Sequence, residues 1–226
     1  MKLNNKRTIL VGLAFLSICA FWQMYDSIVP LILTKTFHMN ETFSGAIMAA
    51  DNILALFLLP FFGSVSDKSH SKLGKRMPFI LFGTGCAIIL MNILPLLDNS
   101  YAAQPSGFKT ASFVIVLGLL LVAMGTYRAP AVALMPDVTP KPLRSRANAI
   151  INLMGAVGGI LYLGVAAVLY PNSKTAGLDH VNYQPLFIVV SAIMFVAVAV
   201  LFLTIREPIV SYTHLRAHET SQDLVC

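Results

Sequence analysis

Six long apolar runs alternate with short polar stretches along the chain: Thr8–Leu33, Phe43–Val65, Pro78–Leu97, Ala111–Met135, Ala147–Tyr170 and Pro185–Ile205. Each holds roughly the 20 residues that a helix needs to cross the hydrocarbon core of a bilayer. The runs are continuous rather than alternating, so they predict helices and not the strands of a membrane barrel. The expected fold is therefore an all-α membrane protein of six transmembrane helices. The first run is too long for the core of a signal peptide, which spans about 7–15 residues.

The polar stretches orient the bundle. Lys and Arg concentrate in alternate connections: Lys2, Lys6 and Arg7; Lys68, Lys72, Lys75 and Arg76; Lys141, Arg144 and Arg146; then Arg206. The opposite connections carry only Lys35, Lys109 and Lys174. Positive loops stay in the cytoplasm. This predicts a multi-pass protein of the cell membrane with both native ends cytoplasmic.

Composition agrees with the pattern. Apolar residues make up 57% of the 226 and charged residues 12%, against about 25% charged in a soluble domain. The net charge of +6 then reflects positive loops facing inward, not nucleic-acid binding. Cys19 and Cys86 sit in apolar runs and Cys226 is terminal, which is no disulfide framework. No nucleophile–base pair, metal-spaced cluster or phosphate-binding glycine loop is visible, so neither an enzyme nor a cofactor is expected.

The last residues break the pattern. Ser211 to Cys226 resembles a translated sequencing adapter, one frame of which reads Ser-Tyr-Thr-His-Leu-Arg-Ala-His-Glu-Thr, with Leu-Val-Cys after an index. The expected organisation is a native six-helix bundle over 1–209 and a non-native tail over 210–226. The tail is excluded from fold reasoning, and with it His214 and His218 as metal ligands. It also predicts a gene cut short soon after the sixth helix.

Weak internal symmetry is present. Tyr25-Asp26 and Tyr127-Arg128 lie about two-thirds along the first and fourth runs, followed by Pro30 and Pro130. These runs cross in opposite directions, which predicts an inverted three-plus-three repeat.

Charges inside a bilayer cost about 2.5–3.5 kcal/mol each even on insertion scales. Asp26, Asp51 and Arg128 therefore either pair to hold the bundle together or line a polar cavity for substrate and a coupling ion. Asp26 falls roughly 9 Å outward of the middle of its helix and Arg128 roughly 7 Å inward of its own. Asp51 lies slightly outward, within reach of the long arginine stem. Phe15, Cys19, Trp22 and Asp26 share one helical face. An aromatic ring beside a carboxylate suits a sugar, whose C–H face stacks while its hydroxyls donate. Trp22 and Tyr25 serve equally well as packing residues. Gln23, Tyr127 and Asn152 complete the polar set around this region. Gln23, Asn52, Asn148 and Asn152 all have the character of helix glue as well, and Gly155, Gly158, Gly159 and Gly164 allow close helix approach.

Asp67 follows the C-terminal end of the second run, where a negative charge opposes the helix dipole. It needs Lys75, Arg76 or a helix N-terminus as partner. Asp137, ahead of Arg144 and Arg146, repeats the arrangement after the fourth run.

Gly63-x-x-x-Asp67-Lys68, continued by Gly74-Lys75-Arg76, resembles the loop signature of the major facilitator superfamily. The longer spacing, with Met-Pro-Phe after it, is similar to the glycoside transporters of that superfamily, the sucrose/proton symporter branch. Arg128, Leu134-x-x-Asp137, Arg146-Ala147-Asn148-Ala149 and Met154-Gly155-Ala156-Val157-Gly158 extend the likeness. The resemblance implies a twelve-helix transporter of which this chain carries the N-terminal six helices, the C-terminal six being the missing partner. It implies proton-coupled sugar symport by alternating access, with Arg128 needed for coupled uptake. Gly63, Asp67, Gly74, Lys75, Arg76, Asp137 and Arg146 would form the cytoplasmic gate. Lys75 stands where the family usually shows Arg. Asp51 has no match in the branch, and its role rests on the physical argument. The same scaffold also fits an exporter of drugs or organic ions, or a non-transporting sensor.

Overall fold

The computed structural model describes residues 4–69, 71, 73–175, 177, 178 and 180–205. Lys2, Lys72, Arg206 and the stretch 210–226 lie outside them. Among the described residues, six helices are long and apolar enough to span a membrane: α1 Asn5–Leu31, α2 Glu41–Asp67, α3 Met77–Ala103, α4 Gly107–Val138, α5 Arg144–Leu169 and α7 Gln184–Thr204. A π-helical turn, Ile32–Thr36, extends α1. A single turn, α6 Asn172–Thr175, sits between α5 and α7.

The helices outrun the apolar stretches that predict them because their ends are capped by polar residues. Asn4 and Asn40 accept hydrogen bonds from the backbone N–H groups of Arg7 and Thr42 at the starts of α1 and α2, satisfying donors left open at a helix N-terminus. In α3, Pro78 occupies the first turn, where its missing N–H costs nothing. The helix then continues six residues past Leu97, taking Asp98 into its body. Pro30 inside α1 cannot donate to the carbonyl of Asp26 one turn earlier, which loosens the ladder beside that carboxylate.

The packing has internal symmetry. α1 rests on α5 and α7, while α4 rests on α2 and α3; α3 meets α7, and α1 touches α4. Exchanging α1 with α4, α2 with α5 and α3 with α7 returns the same set of pairs. Two three-helix units running in opposite directions and packed in this mutual way are an inverted three-plus-three repeat.

Close approach sets the α1–α5 crossing. A Cβ on Gly158 would run into the Leu16 carbonyl oxygen, and one on Gly155 would stand 2.8 Å from Cys19 Sγ. Gly159 is looser and Gly164 meets nothing within 4 Å, so two of the four predicted glycines make the contact. On the other unit, a Cβ on Gly83 of α3 would lie 2.6 Å from the backbone nitrogen of Tyr127. α1 is the most enclosed helix, whereas α2 buries only Ser44 and Ser66 at its two ends.

Gly158→Ala should therefore force α1 and α5 apart and destabilise the bundle by about 1–3 kcal/mol. Gly164→Ala should be neutral within about 0.5 kcal/mol. Reversible unfolding of the two variants in mixed micelles measures the difference.

Candidate functional site

Two polar clusters stand out. The first is a narrow crevice inside the membrane-spanning region, walled by α1, α2 and α4. Its lining includes Trp22, Asp51, Leu58, Leu121, Gly125 and Arg128. The Arg128 guanidinium carbon lies 5.5 Å from the centroid of the Trp22 ring, within the range where a cation is held by the face of an indole. No ion pair joins Arg128 to a carboxylate among the described residues. Trp22 Nε1 and Asp51 Oδ1 are buried without a hydrogen-bond partner, as is the hydroxyl of Tyr25. Unsatisfied groups of this kind are expensive in an apolar surrounding and call for an explanation.

α1 supplies the aromatic wall. Phe15, Cys19 and Trp22 are half-buried and Asp26 is exposed, while their neighbours Leu16, Ser17, Ile18, Phe21, Met24 and Tyr25 are buried. The stripe inferred from helical spacing is thus the less buried face of the helix, with Cys19 at its edge against Gly155 of α5. Trp22 is fixed by edge-to-face contact with both Phe21 and Tyr25, each with ring centroids 5.3 Å apart.

Three candidates stand elsewhere. Tyr127 is fully buried, and its hydroxyl is 2.7 Å from Ser17 Oγ and donates to the Ala14 carbonyl at 3.1 Å. It ties α4 to α1 and has no face toward the crevice. Gln23 reaches toward Gly159 of α5. Asn152 is exposed on α5, on a side turned from the α1 contact that Gly155 and Gly158 make.

The second cluster lies at one end of the bundle and is centred on Arg76, whose side chain is 6% exposed. Its Nε donates to Asp137 Oδ2 at 3.0 Å, Nη1 donates to the Gly63 carbonyl at 3.2 Å and to Ser66 Oγ, and Nη2 pairs with Asp67. One guanidinium fork therefore joins the end of α2, the start of α3 and the last turn of α4, a geometry that a planar cation serves and an ammonium does not. Gly74 makes the approach possible: at φ 103° it turns the chain back in a conformation open to glycine. Gly63 contributes only its carbonyl, since a Cβ there would meet nothing within 4 Å.

Of the two cations weighed for Asp67, Arg76 is the partner; Lys75 is half-buried and forms no ion pair among the described residues. Arg146 is exposed at the start of α5 and is not among the described groups bonded to Arg76. Its neighbour Arg144 instead donates to the carbonyls of Pro136 and Thr139, closing the C-terminal end of α4.

Sequence reasoning passed over Asp98. The third apolar run ends at Leu97, which makes the aspartate look like the first residue of a loop, yet it is completely buried in α3. The only signal was the helix-compatible Asn-Ser-Tyr-Ala-Ala that follows.

A six-helix membrane bundle with inverted repeats, an intramembrane arginine and a basic inter-helix loop locked by its own arginine defines half of a facilitator-type fold. The model for the Major Facilitator Superfamily matches residues 11–221, and the chain belongs to that family. Among curated relatives, it is 35% identical over 158 residues to the sucrose transport protein SUC3 of Arabidopsis thaliana, covering 65% of this chain and 26% of that protein. It is 36% identical over 154 residues to the sucrose transport protein SUT3 of Oryza sativa subsp. indica, covering 62% and 30%. It is 25% identical over 183 residues to solute carrier family 45 member 3 of Homo sapiens, covering 79% and 33%. The matched region spans about a third or less of each of these relatives' length.

Arg76→Ala should leave Asp67 and Asp137 facing each other without their shared cation and cost about 3 kcal/mol. Lys75→Ala should stay within about 0.5 kcal/mol. Thermal melting of the two purified variants distinguishes them.

Proposed function

We propose that this chain is the N-terminal half of a proton-coupled sugar symporter that works by alternating access. The observation that carries the reading is the Arg128 guanidinium stacked on Trp22, in the crevice where an Asp51 oxygen lies buried and unpartnered. An arginine held by a ring rather than by a carboxylate is free to be displaced. A sugar needs the same ring for its C–H face and the same carboxylate for its hydroxyls.

On this reading substrate displaces Arg128 from Trp22, the arginine turns to Asp51, and the proton carried by Asp51 is exchanged in the process. Asp26, on the less buried face of α1, and Tyr25, with its unbonded hydroxyl, supply further contacts to the sugar. The Arg76 cluster closes the cytoplasmic end, with Asp67 and Asp137 as the pair that parts when the transporter opens inward. Exposed apolar residues of α2, among them Ile53, Leu56 and Phe57, face the six helices of the other half. The protein sits in the cell membrane, its basic loops in the cytoplasm. The sucrose transport proteins among its relatives support a sugar as substrate and a role that is not enzymatic.

The test is uptake by the full-length protein in proteoliposomes under an imposed proton gradient. Arg128→Ala should lower uphill sugar uptake at least about tenfold. Asp51→Asn should abolish accumulation against the gradient while sparing sugar exchange at equal concentrations. Tyr127→Phe, away from the crevice, should keep coupling and lose only about 1 kcal/mol of stability. Uphill uptake that survives both crevice substitutions overturns the proposal. Flux that runs only outward points to an exporter, and sugar binding without flux to a sensor.

A further inference from the structure

Opposite the Arg76 end of the bundle is a second buried charge that the crevice does not use. Asp98, in the last third of α3, is 0% exposed. Neither of its oxygens has a hydrogen-bond partner among the described residues. Its nearest basic group is the imidazole of His180, with Nδ1 3.9 Å from Oδ2. A carboxylate in such surroundings is very costly unless a proton or a cation accompanies it.

The hydrogen bonds around His180 fix what that proton does. Asn99 Nδ2 donates to Asn182 Oδ1 at 2.9 Å, so Asn99 Oδ1 is the acceptor and takes the proton of His180 Nε2 at 2.9 Å. In the neutral ring Nδ1 is then bare and accepts from the Thr36 hydroxyl at 3.2 Å, a group that also stands beside Asp98, and the ring has no proton on that side to offer the carboxylate. A second proton, on Nδ1, would sit on the ring nitrogen that stands 3.9 Å from the carboxylate.

The same residues join three parts of the fold. Thr36 ends the π-turn after α1, Asp98 and Asn99 belong to α3, and His180 and Asn182 lie in the connection before α7. Tyr170, at the end of α5, donates to the Asn182 carbonyl at 2.7 Å. Among the described residues, the other titratable groups nearby do not neutralise Asp98. The Tyr183 hydroxyl keeps its proton more firmly than usual because of burial and the Asp98 charge. Lys109 is spent on the carbonyls of Ser100 and Gln104, and Lys35 is exposed.

We infer that Asp98 and His180 form a second proton-binding site, separate from the crevice, that latches the end of α1, the end of α3 and the α5–α7 connection when one proton is shared between imidazole and carboxylate. Opening the latch exposes Asp98 and His180 to water and parts them, so that the proton stays on the imidazole or passes to solvent without the help of the carboxylate, and the closed pair holds it more tightly than the separated groups do. Acid therefore favours the closed state, and the stabilisation is lost as pH rises. The inference does not depend on the transport reading.

Hydrogen–deuterium exchange of the chain in lipid nanodiscs tests it, read on peptides covering the connection ahead of α7 and the first turn of that helix. Between about pH 5.5 and about pH 7.5, wild-type exchange should rise at least about tenfold beyond the intrinsic pH effect. His180→Gln and Asp98→Asn should each remove this excess. The Asn variant should stay protected at both pH values, because its amide can donate to Nδ1 without a proton from solvent. Absence of excess exchange in wild type, or its persistence in both variants, overturns the inference. If Asp98→Asn does not fold, His180→Gln decides alone, since that side chain is partly exposed and outside the helices.

Discussion

A charge within an apolar bundle must be paired, stacked or reached by water, and this fold answers that constraint differently at three depths. At one end Arg76 is enclosed by two carboxylates, a hydroxyl and a carbonyl, each matched to one edge of its planar fork. Near the middle Arg128 leans on an indole, which holds a cation weakly enough for it to be exchanged. At the other end Asp98 has, among the described residues, an imidazole 3.9 Å away and no closer ion-pair partner. The first arrangement is fully satisfied and fastens helices. The other two are incomplete, and incompleteness is what makes a site responsive.

The helices, their number and their order were legible because membrane spanning imposes a length that apolar runs announce directly. The basic loop around Asp67 was legible too, since a negative charge at a helix C-terminus demands a partner. Spacing alone also found the less buried face of α1, because residues three and four apart must lie together. What spacing does not give is rotation about the helix axis. Tyr127 and Arg128 are neighbours in sequence and point to different surroundings, one into the α1–α4 seam and the other into the crevice. Among glycines the chain does not distinguish Gly158, pressed against a backbone carbonyl, from Gly164, which meets nothing.

Asp98 shows a further limit. A hydropathy boundary reports where apolar side chains stop, whereas a helix ends where its backbone bonds can no longer be made. Where the two disagree, a polar residue that seems to belong to a loop is carried inside, and its partner, His180, comes from a connection 82 residues further along. Long-range pairs of this kind carry no local signature.

The mirrored packing of the two three-helix units has an energetic consequence. A tilt that loosens α1 from α7 has a counterpart that loosens α4 from α3, carried out upside down. Rearrangements toward the two faces of the bilayer therefore draw on corresponding helix pairs that are unequally packed, α1 leaning mainly on α5 and α4 mainly on α3. The two ends differ in charge as well as in packing, Arg76 being paired with two carboxylates and Asp98 standing near one imidazole, so the two faces of the bundle are not interchangeable.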